Sequence, residues 1–191
     1  MRSLIKRCVT VCLLLAGHAM AASPEHALRE GGVVLMIRHA ITEPGTGDPP
    51  GFRLDDCSTQ RQLSAEGRAQ ARAIGAWLTR LGVQPTAVFS SAWCRCVDTA
   101  TLAFPALPVK QLPALNSFFA ETDGRELAQT AALREALQRI PAGGVTVWVS
   151  HQVNVTALTG EFLAMGEAVV LKPDGQGGVR VLGRIGPHWP A

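Results

Sequence analysis

Five consecutive apolar residues, at positions 33–37, stand between a Gly-Gly pair and an Arg-His pair. A short apolar run that contains β-branched residues and is flanked by glycines is typical of a strand buried on both faces. Such strands form parallel sheets with helices on both sides, and ligands bind just beyond the carboxyl ends of those strands. The sequence therefore predicts an α/β fold, and it places Arg38 and His39 where such a fold binds its ligand.

Two later segments repeat this arrangement of a strand followed by a basic residue. Residues 88–91 predict the end of a strand and a Ser-rich turn, after which a helix carries Arg95 in its first turn. Residues 145–150 predict another buried strand, and His151 follows it directly before a helix. Because the carboxyl ends of parallel strands meet at one sheet edge, these residues should approach the Arg-His pair. A guanidinium binds phosphate oxygens in a bidentate fork and an imidazole can act as a nucleophile, so this edge predicts chemistry on a phosphoryl group.

In their order and placement, these motifs resemble those of the histidine phosphatase superfamily, the group that includes the cofactor-dependent phosphoglycerate mutases. The resemblance is closer to the small bacterial members, branch 1, than to the acid phosphatase branch. It covers about residues 33–160. The matching segments are Arg38-His39-Ala40 in place of Arg-His-Gly, Thr42 at a Ser/Thr position, residues 90–100 with Ala92 in place of Pro, His151, and the helix start at residues 61–67.

The resemblance implies a three-layer α/β/α fold around a mostly parallel sheet, as in the phosphoglycerate mutases. Its chemistry implies that His39 attacks phosphorus to form a phosphohistidine, while Arg38 and Arg95 hold the phosphate and His151 hydrogen-bonds to it. Three further residues are candidates for substrate binding: Thr42, Arg61 and Gln152. Arg61 could equally form a salt bridge at the start of its helix. No cofactor and no metal ion is expected.

The proton donor for the leaving group is the least defined part of this site. Much of the family takes that proton from a Glu soon after a Leu in the middle of the chain, but here Leu115 is followed by Asn116. An amide cannot act as an acid, and a positioned acid is worth about 10²–10⁴ in rate. We predict that Glu121 takes this role. The other nearby carboxylates are Glu43, Asp55 and Asp123.

The first 21 residues have the pattern of a secretory signal peptide. Three basic residues precede an almost wholly apolar segment at residues 8–15, and residues 19–21 form a small-x-small cleavage site. The apolar segment is too short to span a bilayer, so no stable membrane anchor is expected after cleavage. We therefore expect a periplasmic or secreted protein in which residues 22–191 form a single domain.

Removal of this leader changes the charge of the chain. The full sequence has 18 basic and 15 acidic residues, and three of the basic residues but none of the acidic ones lie within residues 1–21. The remaining chain is close to neutral and contains no run of basic residues, which excludes a nucleic acid partner. The expected partner is a small phosphorylated molecule or a phosphate of the cell envelope.

Three cysteines remain after cleavage: Cys57, Cys94 and Cys96. Disulfides form in oxidising compartments, and an odd number of cysteines allows at most one within this chain. Cys94 and Cys96 are poorly placed on one helical turn to pair with each other. We predict a disulfide between Cys57 and Cys94, with Cys96 as the other candidate partner and three reduced, buried thiols as the alternative. The spacing of cysteines and histidines does not match a metal site.

The remaining segments predict the scaffold. Residues 45–56 are rich in Gly, Pro and Asp and predict a loop over the site, whereas the last residues, which include His188, predict a tail. Apolar spacing and flanking Gly or Pro residues predict helices over 65–81, 93–104, 122–140 and from 152 to about 158, and a hairpin with strands at 169–171 and 179–185.

Together these patterns predict an exported phosphatase that acts on phosphomonoesters. Two alternatives stay open. The chain is also similar to periplasmic enzymes that remove phosphate from a core sugar of lipopolysaccharide, which share the signal peptide, the Arg-His-Ala motif and the size. A catalytically weak family member that binds phosphorylated ligands without turnover is compatible with Asn116 at the position of the acid.

Overall fold

The computed structural model describes residues 23–119 and 124–189. Its helices are α1 (Pro24–Glu30), α2 (Ala65–Arg80), α3 (Cys94–Ala103), α4 (Arg125–Gln138) and α5 (Gln152–Thr159), with short 3-10 helices at Cys57–Thr59 and Pro113–Leu115. Its strands are β1 (Val33–Arg38), β2 (Pro85–Ser90), β3 (Val109–Gln111), β4 (Val145–Ser150), β5 (Ala168–Pro173) and β6 (Val179–Ile185). The predicted signal peptide lies outside the described residues.

The strands form one sheet in the order β3-β2-β4-β1-β5-β6. Strands β1, β2, β3 and β4 run parallel to their neighbours in this group, whereas β5 pairs antiparallel with β1 and with β6. The predicted mostly parallel α/β sheet is therefore confirmed. Strand β1 lies inside the sheet, with β4 on one edge and β5 on the other.

Helices cover both faces of this sheet. Val33, Leu35 and Ile37 of β1 pack into a core with residues of α1, α2 and α3. The intervening Val34 and Met36 pack on the opposite face with residues of α4 and α5. Because successive side chains of a strand point to opposite faces, one apolar run supplies both cores. The predicted three-layer α/β/α architecture is confirmed.

The strand register brings the segments after β1, β2 and β4 to one edge of the sheet. Arg38 pairs with Ser150, and Ser90 pairs with Val149. Helix α2 packs tightly against the segment after β1. The packing is so close that a Cβ atom at Gly67 would overlap the carbonyl oxygen of Ile41. Glycine at this position allows the backbone after β1 to approach the helix.

The two ends of the described chain differ from the sequence-based expectation. Helix α1 is not among the helices expected above, although Ser23 at its N-cap and Gly31 at its C-cap are signals for one, and the expected C-terminal tail is wrong. The Trp189 ring packs against Trp77 with a centroid distance of 5.1 Å, and its Nε1 donates to the carbonyl oxygen of Gly166 at 2.9 Å. An aromatic ring with a satisfied indole N–H anchors these last residues to the domain.

None of the helices formed by residues 23–119 and 124–189 combines the length and the apolar composition that crossing a membrane requires.

Candidate active site

The structure brings together the four basic residues that the strand ends predict. His39 follows β1, His151 follows β4, and Arg95 lies in the first turn of α3 after β2. The two imidazole rings have a centroid distance of 5.5 Å and a nearly perpendicular arrangement. His39, Arg95 and His151 are all buried, and Arg38 is partly buried. Their convergence at one sheet edge agrees with the predicted location of the site.

The His39 side chain is oriented as a nucleophile. Its Nδ1 lies 2.9 Å from the carbonyl oxygen of Ala40, which can only accept, so Nδ1 carries the proton and Nε2 keeps its lone pair. The backbone N–H of Ala40 donates to Thr99 Oγ1 at 3.0 Å and fixes this turn. Burial, followed by the positive charges of Arg95 and Arg38, lowers the pKa of His39 to about 3. The imidazole is therefore neutral at any ordinary pH.

Three guanidinium groups surround His39. The positive charges of Arg95, Arg38 and Arg61 all lower its pKa. Each group donates one Nη1 hydrogen bond of 2.7 Å, to a carboxylate, the carbonyl of Leu163 and the carbonyl of Gly45, respectively. The Nε of each arginine is buried without a hydrogen-bond partner among the described residues. Buried donors without partners are costly, so this cluster is suited to an anion that supplies the missing acceptors.

Asp48 is the carboxylate that balances part of this charge, and no sequence pattern indicates its role. Its Oδ1 accepts from Arg95 Nη1 at 2.7 Å and from the Arg61 backbone N–H at 3.0 Å, while its Oδ2 accepts from Trp93 Nε1 at 3.0 Å. Burial alone would raise the pKa of Asp48, but these bonds, led by the one from Arg95, outweigh it and lower the pKa. Asp48 is therefore ionised and orients Arg95.

The formal charges in this cluster match one ligand class. Three guanidinium groups and the Asp48 carboxylate leave two positive charges around His39. A phosphomonoester has its second pKa near 6, so it is largely a dianion at neutral pH. The arrangement can therefore accept a phosphoryl group with full charge compensation.

His151 forms a second buried hydrogen-bond network. Its Nε2 lies 2.8 Å from Ser91 Oγ and 3.5 Å from Cys96 Sγ. Ser91 Oγ accepts from the backbone N–H of Trp93 at 3.3 Å, so its own proton is free to be donated to His151 Nε2. Burial, then the charges of His39 and Arg95, lower the pKa of His151 well below its usual value. The neutral ring then carries its proton on Nδ1.

The three candidate substrate-binding residues have different placements. Arg61 faces His39 as part of the arginine cluster, and its charged neighbours there are Arg95 and Asp48. Thr42 is buried and donates to Met165 Sδ at 3.6 Å. The Gln152 side chain is already bonded, because Nε2 donates to the Glu161 carbonyl at 3.1 Å and Oε1 accepts from the Leu163 N–H at 2.9 Å. Direct contact of Thr42 or Gln152 with substrate stays a prediction.

Gln152 contributes to the site through the segment that it holds. Its bond to the Leu163 N–H fixes the residue whose carbonyl oxygen accepts from Arg38 Nη1 at 2.7 Å. Through this interaction, Gln152 helps to position the Arg38 guanidinium.

The predicted acid, Glu121, lies outside the described residues, as does Asp123. Asn116 has a structural role, since its Oδ1 accepts from the Ala92 N–H at 2.8 Å and holds the turn before α3. Glu43 is exposed, and Asp55 is an exposed residue paired with Arg53 at 3.6 Å. The identity of the acid therefore stays a prediction.

A disulfide joins Cys57 to Cys94, which is the predicted pairing, and Cys96 is a buried free thiol. The bond links the long segment between β1 and α2 to the first residue of α3, next to Arg95. Gln60 adds a second link, because its Oε1 accepts from the Cys94 N–H at 2.9 Å. Burial raises the pKa of the Cys96 thiol to about 12, so it remains protonated beside His151.

Solved structures show which fold this chain shares. It is similar to the protein histidine phosphatase SixA complexed with tungstate, at 18% identity and a TM-score of 0.59 over 81% of this chain and 97% of that one. It is also similar to mycobacterial glucosyl-3-phosphoglycerate phosphatase, at 19% identity and a TM-score of 0.58 over 79% of this chain and 97% of that one. At such low identity these likenesses establish the fold. No curated protein matches the sequence significantly.

The family follows from the sequence itself. The model of the histidine phosphatase superfamily (branch 1) matches residues 34–136, which is more than half of the chain. That span contains the Arg-His pair, Arg61 and Arg95, and the structure places them together around a neutral imidazole. The chain belongs to branch 1 of the histidine phosphatase superfamily and is a histidine-type phosphatase.

Proposed function

We propose that this protein is an exported phosphatase that hydrolyses phosphomonoesters through a phosphohistidine on His39. One observation carries the proposal: the free Nε2 of a neutral, buried His39 lies among three guanidinium groups whose Nε donors are unpaired. A nucleophile and a set of unused anion-binding donors in one place fit a phosphoryl group.

In the first step, His39 Nε2 attacks phosphorus. The bond from Nε2 to phosphorus forms while the bond from phosphorus to the ester oxygen breaks, and the leaving oxygen takes a proton from the acid. The Nδ1 proton stays in its hydrogen bond with the carbonyl of Ala40, which stabilises the positive ring of the phosphohistidine. Arg38, Arg61 and Arg95 hold the equatorial oxygens, on which charge is spread in the transition state.

In the second step, water attacks the phosphorus of the phosphohistidine. The bond to Nε2 breaks, inorganic phosphate leaves, and the water proton returns to the acid, so both groups regain their starting states. Glu121 is the proposed acid and base, and His151 Nδ1 is the proposed donor to a phosphate oxygen. A positioned acid adds about 10²–10⁴ in rate, so its loss would slow the first step most for poor leaving groups.

Oxyanions bound to structures with the same fold support a phosphate ligand. SixA has been solved with tungstate, and mycobacterial glucosyl-3-phosphoglycerate phosphatase has been solved with inorganic phosphate. The arginine cluster of this chain has the charge and the free donors to bind such tetrahedral anions. The substrate class that we propose at this stage is a small phosphorylated molecule or a phosphate of the cell envelope.

Export is supported by two independent features. Residues 1–21 have the sequence of a cleavable leader, and Cys57 and Cys94 form a disulfide in the domain that follows. Structural disulfides persist in oxidising compartments such as the periplasm or the extracellular space. We therefore place the enzyme in the periplasm or outside the cell.

A second candidate function is the binding of phosphorylated ligands without turnover. It is favoured by Asn116, which occupies the position where much of the family has its acid and which bonds to the Ala92 N–H instead. A site of this kind would bind phosphate through the same arginines but would release the leaving group slowly.

The test is hydrolysis of p-nitrophenyl phosphate by the mature protein and by His39→Ala, across pH 4–8. Phosphoprotein is trapped with labelled substrate in alkaline detergent, because a phosphohistidine is stable in alkali and labile in acid. The matched control is His26→Ala, which removes an exposed histidine whose side chain pairs with Glu30 at 3.1 Å on α1. We expect kcat/KM to fall by at least about 10³-fold in His39→Ala and to be unchanged in His26→Ala.

The outcomes separate the two candidate functions. Alkali-stable, acid-labile label in the wild type that is absent from His39→Ala supports the phosphohistidine route. Equal background rates in all three proteins, together with tight binding of inorganic phosphate, would instead support ligand binding without turnover.

A further inference from the structure

Beside the phosphate site lies a cavity of about 460 Å³ that the mechanism above does not use. Cavities of about 300–1,000 Å³ hold small-molecule ligands. The apolar side chains that line it are those of Leu54, Trp93, Pro113, Ala114, Ala128 and Ala132. The polar part of the lining consists of Asn116, Ser117, Arg125 and Gln129. The cavity therefore has the size of a small-molecule site, and the larger part of its wall can contact an apolar group.

Trp93 connects this cavity to the reacting groups. Its ring lies edge-on to His151 with a centroid distance of 5.3 Å, and its Nε1 donates to Asp48 Oδ2 at 3.0 Å. The same side chain lines the cavity. Trp93 therefore borders both the phosphate site and the cavity, which makes the two sites neighbours.

The amide side chains along the cavity are already hydrogen-bonded. Asn116 Oδ1 accepts from the Ala92 N–H at 2.8 Å, and Gln129 Nε2 donates to the Asn116 carbonyl at 2.9 Å. These bonds fix the wall of the cavity and leave those two atoms little capacity for a polar ligand. A polar group that is buried without partners is destabilising, so the region formed by these two atoms and the apolar side chains favours an apolar group.

One exposed apolar side chain forms part of the cavity wall. Within the described part of the chain, large hydrophobic residues are exposed at Leu54, Phe119, Leu127 and Phe162. Of these, Leu54 lines the cavity, and 42% of it is exposed. An exposed leucine in the wall of a cavity beside a charged site offers apolar surface to a ligand.

We propose that this cavity binds the apolar part of the leaving group, so that the preferred substrates are phosphomonoesters of amphiphilic alcohols. The inference rests on the proposed phosphatase function and names its substrate class. The phosphate binds the arginine cluster, and the hydrocarbon portion, within a few bonds of the ester oxygen, lies against Trp93, Leu54 and Ala128. Continuity through Trp93 favours a part of the substrate over a separate ligand or a docked protein.

The test measures kcat/KM for ethyl, butyl, hexyl and octyl phosphate, each below the concentration at which it aggregates. The leaving alkoxides have nearly the same basicity, so a gradient with chain length reports contact with the cavity. Burial of a methylene group is worth up to about a fourfold gain in binding, and we expect a rise of about two- to fourfold per methylene until the cavity is filled.

Two matched substitutions on α4 test whether the rise of kcat/KM with chain length depends on the cavity. Ala128 lines the cavity, whereas Ala131 is exposed on the same helix and does not line it. Glutamine is neutral and a good helix former, so Ala128→Gln and Ala131→Gln change the two positions equally. We expect the ratio of octyl to ethyl phosphate kcat/KM to fall severalfold in Ala128→Gln and in Leu54→Ser, and to keep its wild-type value in Ala131→Gln.

Hydrolysis of p-nitrophenyl phosphate separates failure of this inference from failure of the proposed function. If that ester is hydrolysed but kcat/KM is flat along the alkyl series, the cavity does not bind the leaving group. A gradient that Ala128→Gln leaves intact, or that Ala131→Gln reduces equally, overturns the proposal as well. Absence of hydrolysis for every ester, including p-nitrophenyl phosphate, contradicts the phosphatase function itself.

Discussion

The strand edge and the loop over residues 43–62 build the same phosphate site by different means. At the edge, Arg38 and His39 end a strand that is paired on both sides, so backbone hydrogen bonds fix them. The loop contains only a short 3-10 helix, and side chains hold it in place through the disulfide of Cys57 and the bonds of Asp48 and Gln60. Groups that react are best placed on rigid elements, whereas a loop can supply charge and shape.

Substitutions in the two regions should also reduce the catalytic rate by different amounts. The strand edge supplies His39, the proposed nucleophile, and Arg38, whose guanidinium we propose contacts phosphate directly. The loop supplies Arg61 and the carboxylate that orients Arg95. We therefore expect substitutions at the edge to affect the chemical step strongly, and substitutions in the loop to affect it less.

Among substitutions that compare the two regions, the largest effect is expected from a matched pair of arginine substitutions, Arg38→Gln at the edge and Arg61→Gln in the loop. Both guanidinium groups donate one 2.7 Å bond to a backbone carbonyl and keep an unpaired Nε, so the pair differs mainly in location. We expect kcat/KM for p-nitrophenyl phosphate to fall by about 10²–10³-fold in Arg38→Gln and by about tenfold in Arg61→Gln.

The control for this pair is Arg72→Gln on α2, because Arg72 is exposed and bonds only to the carbonyl of Arg68 at 3.1 Å. Its kcat/KM should equal that of the wild type. Equal losses in Arg38→Gln and Arg61→Gln would contradict the expected difference between the two regions, since the loop arginine would then stabilise the transition state as much as the edge arginine.

The difference between the two regions also explains what the sequence could predict. Strand ends of a parallel sheet converge, so apolar runs followed by Arg38, His39 and His151 were sufficient to predict that these residues come together. Asp48 gives no comparable signal. An aspartate among glycines and prolines is usually a solvated loop residue, and its partner Arg95 is 47 positions away in the sequence.

The same reasoning applies to the scaffold. Helices with clear apolar spacing, such as α2, were predictable, as was the buried strand β4. Helix α1 is short, and Trp189 finds its partners Trp77 and Gly166 only in the folded chain. Long-range contacts of single side chains leave no periodic pattern, so tertiary structure alone reveals them.

An intermediate effect is expected from Asp48→Asn, which tests how the loop acts on Arg95. The amide oxygen can still accept from Arg95, but the amide nitrogen would face the donor Trp93 Nε1 and oppose it. We expect kcat/KM to fall by about ten- to thirtyfold, mainly through kcat because Arg95 loses its orientation toward the transition state. Steady-state kinetics with p-nitrophenyl phosphate provide the measurement.

A double-mutant cycle sharpens this prediction. If Asp48 acts through Arg95, the combination of Asp48→Asn with Arg95→Gln should be no worse than Arg95→Gln alone, because residues in contact are not additive. Asp48→Glu should recover part of the activity by restoring a carboxylate. Fully additive losses would show that Asp48 acts independently of Arg95.

The smallest effect on activity is expected from removal of the disulfide in a Cys57→Ser, Cys94→Ser double variant. The two cysteines are 37 positions apart, and closing a loop of that length stabilises a protein by about 4 kcal/mol through the unfolded state. The free energy of unfolding, measured by urea denaturation, should fall by about that amount. Because Asp48 and Gln60 still hold the loop against α3, kcat/KM should fall by less than about tenfold. Reduction of the wild-type disulfide with a dithiol should reproduce both changes. A loss of activity as large as that of Arg38→Gln would mean that the loop depends on the disulfide for its catalytic geometry, and the distinction between a rigid edge and a supporting loop would fail.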